Sequence, residues 1–288
     1  MKDYSYYPGC SVEASNRAYD ISARSVSQAV GIGLIELEDW NCCGATAYMS
    51  VREKRAMALS ARNLALAERE KRDLVTICNG CFSVLNKTNL YMAANEELGR
   101  ELCRALQAAD LRYEGTVKVR HLLDVLVTDV GEAGIRAQVT KELNGLKVAP
   151  YYGCQLNRPR GMFDNPELPM SLDNLLSWLQ AEPVTYPLKT KCCGGMLMTT
   201  QPDVCEKVVE RLLSSAVEAG AECLATLCPL CHINLEAYQK RINKRLGTHF
   251  DLPIFYFTQI VGLAFGMGEK ELRIADNLTP CEKIAARY

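Results

Sequence analysis

Short apolar or β-rich runs alternate along the chain with longer stretches of helical period. DYSYY (3–7) reads as a strand, a helical pattern covers about 13–30, and GLIELED (33–39) reads as a second strand. SVREKRAMALSARNLALAERE (50–70) is rich in helix formers, with Ser50 as the expected N-cap. LVTI (74–77) and VKVRHL (117–122) complete a first set of strands. The same order returns in LKVAPYY (146–152), PVTYPL (183–188), CLATL (223–227) and PIFYF (253–257). Strands that alternate with helices need crossover connections, which predicts an α/β fold with mainly parallel sheets. At 288 residues and about 150 residues per domain, this pattern predicts two pseudo-symmetric Rossmann-like domains, 1–145 and 146–288.

Composition narrows the function classes. Hydrophobic residues make up 48% and charged residues 23%, with a formal net charge of −1, so no basic surface for nucleic acid is indicated. The start, MKDYSYYPGC, lacks the apolar core of a secretion signal, and no run approaches the ~20 apolar residues of a membrane span. A cytoplasmic location without membrane contact is the expectation. Fourteen cysteines are too many for packing alone in such a chain, and in a reducing compartment spaced thiols point to metal binding before disulfides.

The spacing repeats. Cys10 is followed by 31 residues, the pair Cys42-Cys43, 34 residues, and the C-x-x-C of Cys78 and Cys81; Cys154 is followed by 37 residues, Cys192-Cys193, 34 residues, and Cys228 and Cys231. Flanking residues repeat too: YYPGC with YYGC, CCGA with CCGG, TICNGCFSVLN with TLCPLCHINLE, at offsets of 144 to 150 residues. This is an internal duplication. Each group follows a predicted strand, the end at which open α/β sheets bind ligands. Taken singly, a CC pair reads as a buried apolar pair or a vicinal disulfide, and a C-x-x-C as a zinc knuckle or redox dithiol. Ten cysteines in two matched sets argue against those readings. Five thiolates per set exceed the four that close a zinc site or a cubane cluster. The expected occupant is therefore a cluster of several irons with unusual connectivity, in which one thiolate bridges two irons. Cys103, Cys205, Cys223 and Cys281 have no such repetition and read as core or incidental residues.

Both sets, C-x31-CCG-x34-C-x-x-C and C-x37-CCG-x34-C-x-x-C, resemble the duplicated cysteine-rich CCG domain, and the chain as a whole resembles the B subunits of heterodisulfide reductases. That resemblance implies one noncubane [4Fe-4S] cluster on Cys10, Cys42, Cys43, Cys78 and Cys81. A second falls on Cys154, Cys192, Cys193, Cys228 and Cys231. It also implies that the disulfide of coenzyme M and coenzyme B is cleaved between the two clusters. Neither the ferredoxin run C-x-x-C-x-x-C-x-x-x-C-P nor G-x-G-x-x-G occurs, so electrons are expected from partners. The resemblance implies a C subunit with cubane clusters, a flavin-containing A subunit, and a hydrogenase or formate dehydrogenase further upstream. The chain ends at Tyr288 without a fused ferredoxin or membrane segment, which favours the cytosolic form of the heterodisulfide reductase complex as the expectation.

Coenzyme M and coenzyme B are anionic, so cations near the second set are candidate substrate contacts: Arg158, Arg160, Lys189 and Lys191. His232, next to Cys231, is a candidate proton or hydrogen-bond donor to sulfur. For each of these an ordinary surface or structural role stands beside the functional one. Two rival readings remain open at this level. One is an iron–sulfur electron-transfer subunit of a lactate- or glycolate-oxidising, fumarate-reducing or quinone-linked complex; the other is a zinc scaffold.

Overall fold

The computed structural model describes residues 2–14, 16–45, 47–158 and 162–288. Two four-stranded sheets carry the fold. The first contains β1 (Lys2–Tyr7), β2 (Ile32–Glu36), β3 (Leu74–Thr76) and β4 (Val119–His121) in the order β2-β1-β3-β4. The second contains β5 (Lys147–Tyr151), β6 (Glu182–Pro183), β7 (Cys223–Thr226) and β8 (Ile254–Tyr256) in the order β6-β5-β7-β8. Every pairing is parallel. The two halves are thus the same doubly wound unit, as the repeated sequence predicts. Strand order reverses direction between β1 and β3, and between β5 and β7, which opens a crevice at the carboxyl ends of those strands.

Burial explains why the strands read as near-continuous apolar runs. Tyr4, Ser5, Tyr6 and Tyr7 are all buried, as expected of a central parallel strand covered on both faces. The helix Arg17–Ala29 buries Ala18, Tyr19, Ala23 and Val26 at helical spacing. It packs on the helix Phe257–Ala264 of the other half, where Ser22 Oγ and Thr258 Oγ1 lie 2.7 Å apart and Tyr19 stacks on Tyr256 at 4.1 Å. Further ties cross the halves: Asn79 Nδ2 donates to Tyr152 O (2.7 Å), and His121 Nε2 lies 3.2 Å from Leu227 O. One hydrophobic core runs through both sheets.

Local differences from the sequence reading have physical causes. The helix expected over 13–30 is two: Cys10–Ala14, then Arg17–Ala29, because Asn16 leaves helical geometry at φ −126 and ψ 37. Ser50 does not cap the long helix, which runs Glu53–Arg69; it lies within a short preceding helix, Ala47–Val51, and Arg52 at φ −144 breaks the two apart. β2 stops at Glu36 rather than Asp39, whose φ of +58 cannot continue a strand. The strand expected over PVTYPL shrinks to the two-residue edge strand Glu182–Pro183, which shares only Pro183 with that run, since Pro183 and Pro187 cannot donate to a ladder. Pro150 is tolerated within β5 because its pairing with β6 stops at Val148, so no ladder donor is needed there. Its carbonyl accepts from Tyr186 Oη (3.1 Å), on the side where β6 has already ended. Among the described residues no helix is long and apolar enough to cross a membrane.

Candidate functional site

The turns after the strands decide where the thiols point. β1 ends at Tyr7, and Gly9 at φ +82 swings the chain into Cys10; β5 ends at Tyr151, and Gly153 at φ +66 does the same before Cys154. A Cβ on Gly9 would lie 3.2 Å from Cys81 Sγ, and one on Gly153 3.3 Å from Cys231 Sγ. Glycine is therefore needed twice over, for positive φ and for close approach to a thiol. Tyr7 Oη donates to Asn41 O (2.8 Å), and Tyr151 Oη to Lys191 O (2.7 Å), so the same tyrosine in each half ties the CCG loop to the lone-cysteine turn.

The third loop follows β3 and β7. Cys78 precedes the helix Asn79–Ala94, with Cys81 in its first turn; Cys228 precedes Pro229–Glu236, with Cys231 in its first turn. The positive end of a helix favours a thiolate at such positions, but hydrogen bonding to neighbouring thiols and burial push Cys78, Cys81 and Cys231 up, and of the four only Cys228 is pulled down, through its contacts with Cys231 and Cys78.

Between these loops the adjacent cysteines divide their work. Cys42 is exposed and its Sγ lies 3.7 Å from that of Cys10, while Cys43 is buried and 3.4 Å from Cys81 Sγ. Cys193 is likewise buried 3.4 Å from Cys231 Sγ, with Cys192 exposed. One cysteine of each pair thus turns towards the mouth and the other towards the depth. Across the two halves, Cys78 Sγ and Cys228 Sγ meet at 4.0 Å. All ten thiols line a single cavity of about 380 Å³. Asn79, whose Oδ1 is buried without a partner, lies on the wall, and no charged side chain is among the described residues lining it.

Crowding sets the acid–base behaviour of the thiols. Hydrogen bonding to Cys42 and burial push the Cys10 thiol up, and the same contact pulls the Cys42 thiol down to about 2. Cys154 and Cys192 repeat this, with Cys192 also lowered to about 2. Each set therefore holds thiolate character in the exposed member of its vicinal pair, while hydrogen bonding to that neighbour and burial push the inner thiols, Cys43 and Cys193, up to about 12. All ten cysteines are free thiols, none joined in a disulfide. Among the described residues no group of three or more His, Cys, Asp or Glu side chains is placed to hold a single metal ion. Soft thiolates spread around a cavity of this volume suit a multi-atom iron–sulfur group better than one ion.

The other candidates from the sequence are placed differently. Lys189 Nζ bonds Asp173 Oδ1 (3.0 Å) and Pro169 O (2.8 Å) and sits over the Tyr152 ring, away from the cavity lining. Its side chain is 13% exposed and that of Asp173 9%. Lys189→Ala is accordingly expected to lower unfolding free energy by about 3 kcal/mol, by leaving a nearly buried carboxylate unpaired. Urea denaturation would read this as a lower midpoint at unchanged slope, and an unmoved midpoint would refute it. His232 is buried, stacks on Tyr256 at 3.8 Å and contacts Glu236 Oε2 through Nε2 at 3.0 Å, facing away from the thiols into a separate pocket. Arg158 and Lys191 are exposed and do not line the cavity. Arg160 lies outside the described residues. Of the four unrepeated cysteines, Cys205, Cys223 and Cys281 are buried in the core and Cys103 is half-buried.

Sequence reasoning passed over Gly9, Gly153, Tyr7 and Tyr151, although the doubled YYPGC and YYGC carried the signal. It also missed the braces of the CCG loops. In the first half Asn63 exchanges hydrogen bonds with the Asn41 backbone (3.0 and 2.8 Å) and Ser60 Oγ donates to Cys43 O (2.9 Å). In the second, Asn234 Nδ2 donates to Cys193 O (3.1 Å) and Gly195 O (2.9 Å).

The cysteine-rich domain family named CCG matches twice, over residues 4–86 and 148–236, and these two spans contain all ten thiols of the cavity. The chain belongs to the CCG cysteine-rich domain family. This CCG protein is 33% identical to a heterodisulfide reductase B-subunit-like protein of Archaeoglobus profundus, with 100% of this chain and 98% of that one covered. It is 31% identical to the 8-methylmenaquinol:fumarate reductase membrane anchor subunit of Wolinella succinogenes, covering 99% of both. With the B subunit of the ferredoxin:CoB-CoM heterodisulfide reductase of Methanosarcina mazei it shares 30% identity, over 96% of this chain and 94% of that one. In fold it is similar to a hypothetical protein from Helicobacter pylori, with a TM-score of 0.77 at 14% identity. That likeness covers 96% of this chain and 52% of the other.

Proposed function

We propose that this CCG protein is the catalytic subunit of a cytosolic heterodisulfide reductase that converts the coenzyme M–coenzyme B disulfide to its two thiols. The observation that carries the reading is the single cavity lined by two equivalent sets of five thiols that touch through Cys78 and Cys228. Similarity to the B subunits of heterodisulfide reductases supports it. Two units, 1–145 and 146–288, would each hold one noncubane [4Fe-4S] cluster: Cys10, Cys42, Cys43, Cys78 and Cys81 in the first, Cys154, Cys192, Cys193, Cys228 and Cys231 in the second. Bound there, such clusters supply one-electron transfer and an iron site for sulfur.

The net reaction adds two electrons and two protons to the S–S bond and releases two thiols. A cavity wall of thiols and neutral side chains accepts the sulfur-bearing middle of a disulfide and leaves its anionic ends near the mouth. We assign those ends to the exposed cations Arg158 and Lys191, with Arg160 as a further candidate; Lys189 and His232 support the site through their pairs with Asp173 and Glu236. Electrons would come from a C subunit with cubane clusters and a flavin-containing A subunit, and ultimately from a hydrogenase or formate dehydrogenase.

Similarity to a fumarate reductase subunit favours a second reading, an iron–sulfur electron-transfer subunit of a fumarate-reducing or quinone-linked complex. Anaerobic assay of the complex with a reduced viologen separates the two. Catalysis predicts turnover of the mixed disulfide much faster than of either symmetric one, and a cluster signal in magnetic resonance that depends on added thiol. Indifference among the three disulfides with no thiol-dependent signal would favour the electron-transfer subunit.

A further inference from the structure

The two sets of thiols look alike until their surroundings are compared at equivalent positions. Backbone donors match: Gly44 N lies 3.5 Å from Cys42 Sγ, and Gly194 N 3.3 Å from Cys192 Sγ. The side chains behind the buried cysteine of each pair do not match. Three residues beyond the last cysteine of each C-x-x-C stands Val84 in the first half and Asn234 in the second. Asn234 is 2% exposed, and its Nδ2, besides holding Cys193 O and Gly195 O, lies 3.7 Å from Cys193 Sγ. Buried Val84 offers no side-chain N–H at all. A second difference lies behind the loop glycine. A Cβ on Gly44 would meet Ala56, whereas one on Gly194 would meet Cys205, which therefore occupies the place of Ala56. Cys205 Sγ donates to Cys193 O (3.5 Å) and lies 3.9 Å from Asn234 Nδ2. Both buried cysteines have their carbonyl held by a side-chain donor, Ser60 Oγ for Cys43 and Asn234 Nδ2 for Cys193, but only Cys193 has a side-chain N–H beside its sulfur.

We propose that Asn234 is a positioning residue that makes the redox group held by the second set of thiols the first to accept an electron. This rests on the cluster reading above. A cluster gains one negative charge on reduction, with no bond broken, and part of that charge falls on its cysteine sulfurs. A buried amide nitrogen 3.7 Å from the Cys193 sulfur stabilises the reduced state, because N–H donors close to cluster sulfurs raise the reduction potential. Val84 gives the first set no such stabilisation. The duplication thus encodes a direction: two equivalent scaffolds, one tuned by an amide to fill before the other.

The test uses the full chain with its clusters restored anaerobically, titrated against potential and followed by magnetic resonance, with iron measured in every sample. Wild type is expected to show two distinct potentials. In a Cys43→Ser background, which keeps only the second set intact, the higher one should remain. Asn234→Val should lower that potential so that the reduced-to-oxidised ratio at a fixed potential falls about tenfold, equivalent to about 59 mV for a one-electron couple. Val84→Asn should raise the lower potential and leave the higher one in place. Should Asn234→Val lose the second cluster because its loop brace is gone, Val84→Asn alone decides. Equal potentials in wild type, or unmoved potentials in Val84→Asn, overturn the inference. Wild-type protein without iron after reconstitution would instead overturn the cluster reading itself.

Discussion

Serine in place of Cys43 is expected to halve the iron of the reconstituted protein and abolish disulfide reduction while the sheets stay folded. Two four-iron clusters predict about eight irons and a similar amount of acid-labile sulfide per chain, so one disabled set leaves about four. Cys43 is suited to this test because it is the inward member of its pair. It is 3% exposed, its sulfur is 3.4 Å from that of Cys81, and it reaches where Cys42 does not. Serine is nearly the same size but its hydroxyl stays protonated and binds iron poorly, so packing is kept and only the ligand is lost. The second set shares no cysteine with the first, which is why its iron should persist. Activity should vanish entirely, since cleaving a disulfide between two clusters needs both. Cys281→Ser is the matched control. Cys281 is equally buried but its sulfur contacts Ile254 O (3.4 Å) and Thr279, a partnership that serine can keep. Full iron in Cys43→Ser, or equal loss in Cys281→Ser, would remove these ten residues from their assigned role. Iron, sulfide and activity assays with circular dichroism as the check on folding suffice.

The chain disclosed its architecture because the fold is built twice. The eight strands come in the expected order and, apart from the two-residue β6, which overlaps its expected run only at Pro183, lie within the runs that alternation of apolar and helical stretches placed or next to them; the ten repeated cysteines follow the ends of six of them. What sequence could not give is set by contacts between distant residues. The meeting of Cys78 with Cys228 depends on how two sheets pack, and no local pattern encodes it. Lys189 looked like a free cation beside the CCG motif, but its partner Asp173 stands sixteen residues earlier on another element. His232 adjoins Cys231 in sequence, yet a helical turn sends neighbouring side chains in different directions, so it faces Glu236 and Tyr256. Ser50 looked like a helix cap because Arg52 carries no sequence mark of a break. Local propensity thus located elements and thiols, while the pairings of charged and polar groups waited for tertiary structure.

Alanine at Gly194 is expected to cost about 4 kcal/mol, combining about 1–3 kcal/mol of backbone strain with about 1–3 kcal/mol of overpacking. Both components are visible at this position. Gly194 sits at φ +90, outside even the small left-handed region open to other residues, and an added Cβ would fall 2.3 Å from Cys205 Sγ. Cys205 is fully buried on the helix Pro202–Glu218, so its sulfur must displace packed neighbours to make room for the new atom. Two comparisons separate the components. Gly220→Ala introduces a Cβ at φ +83 with nothing within 4 Å, so it should cost backbone strain alone. Gly194→Ala combined with Cys205→Ala removes the sulfur and should recover roughly half of the loss, a coupling expected of residues in direct contact. If the double variant is no more stable than Gly194→Ala, the clash is not the cause. The second set of thiols should suffer first, because Gly194 closes the turn that aims Cys192 outward and Cys193 inward. Partial unfolding there should release iron from that set before the first sheet melts, so thermal denaturation followed in parallel by iron release and circular dichroism would show the two events in that order.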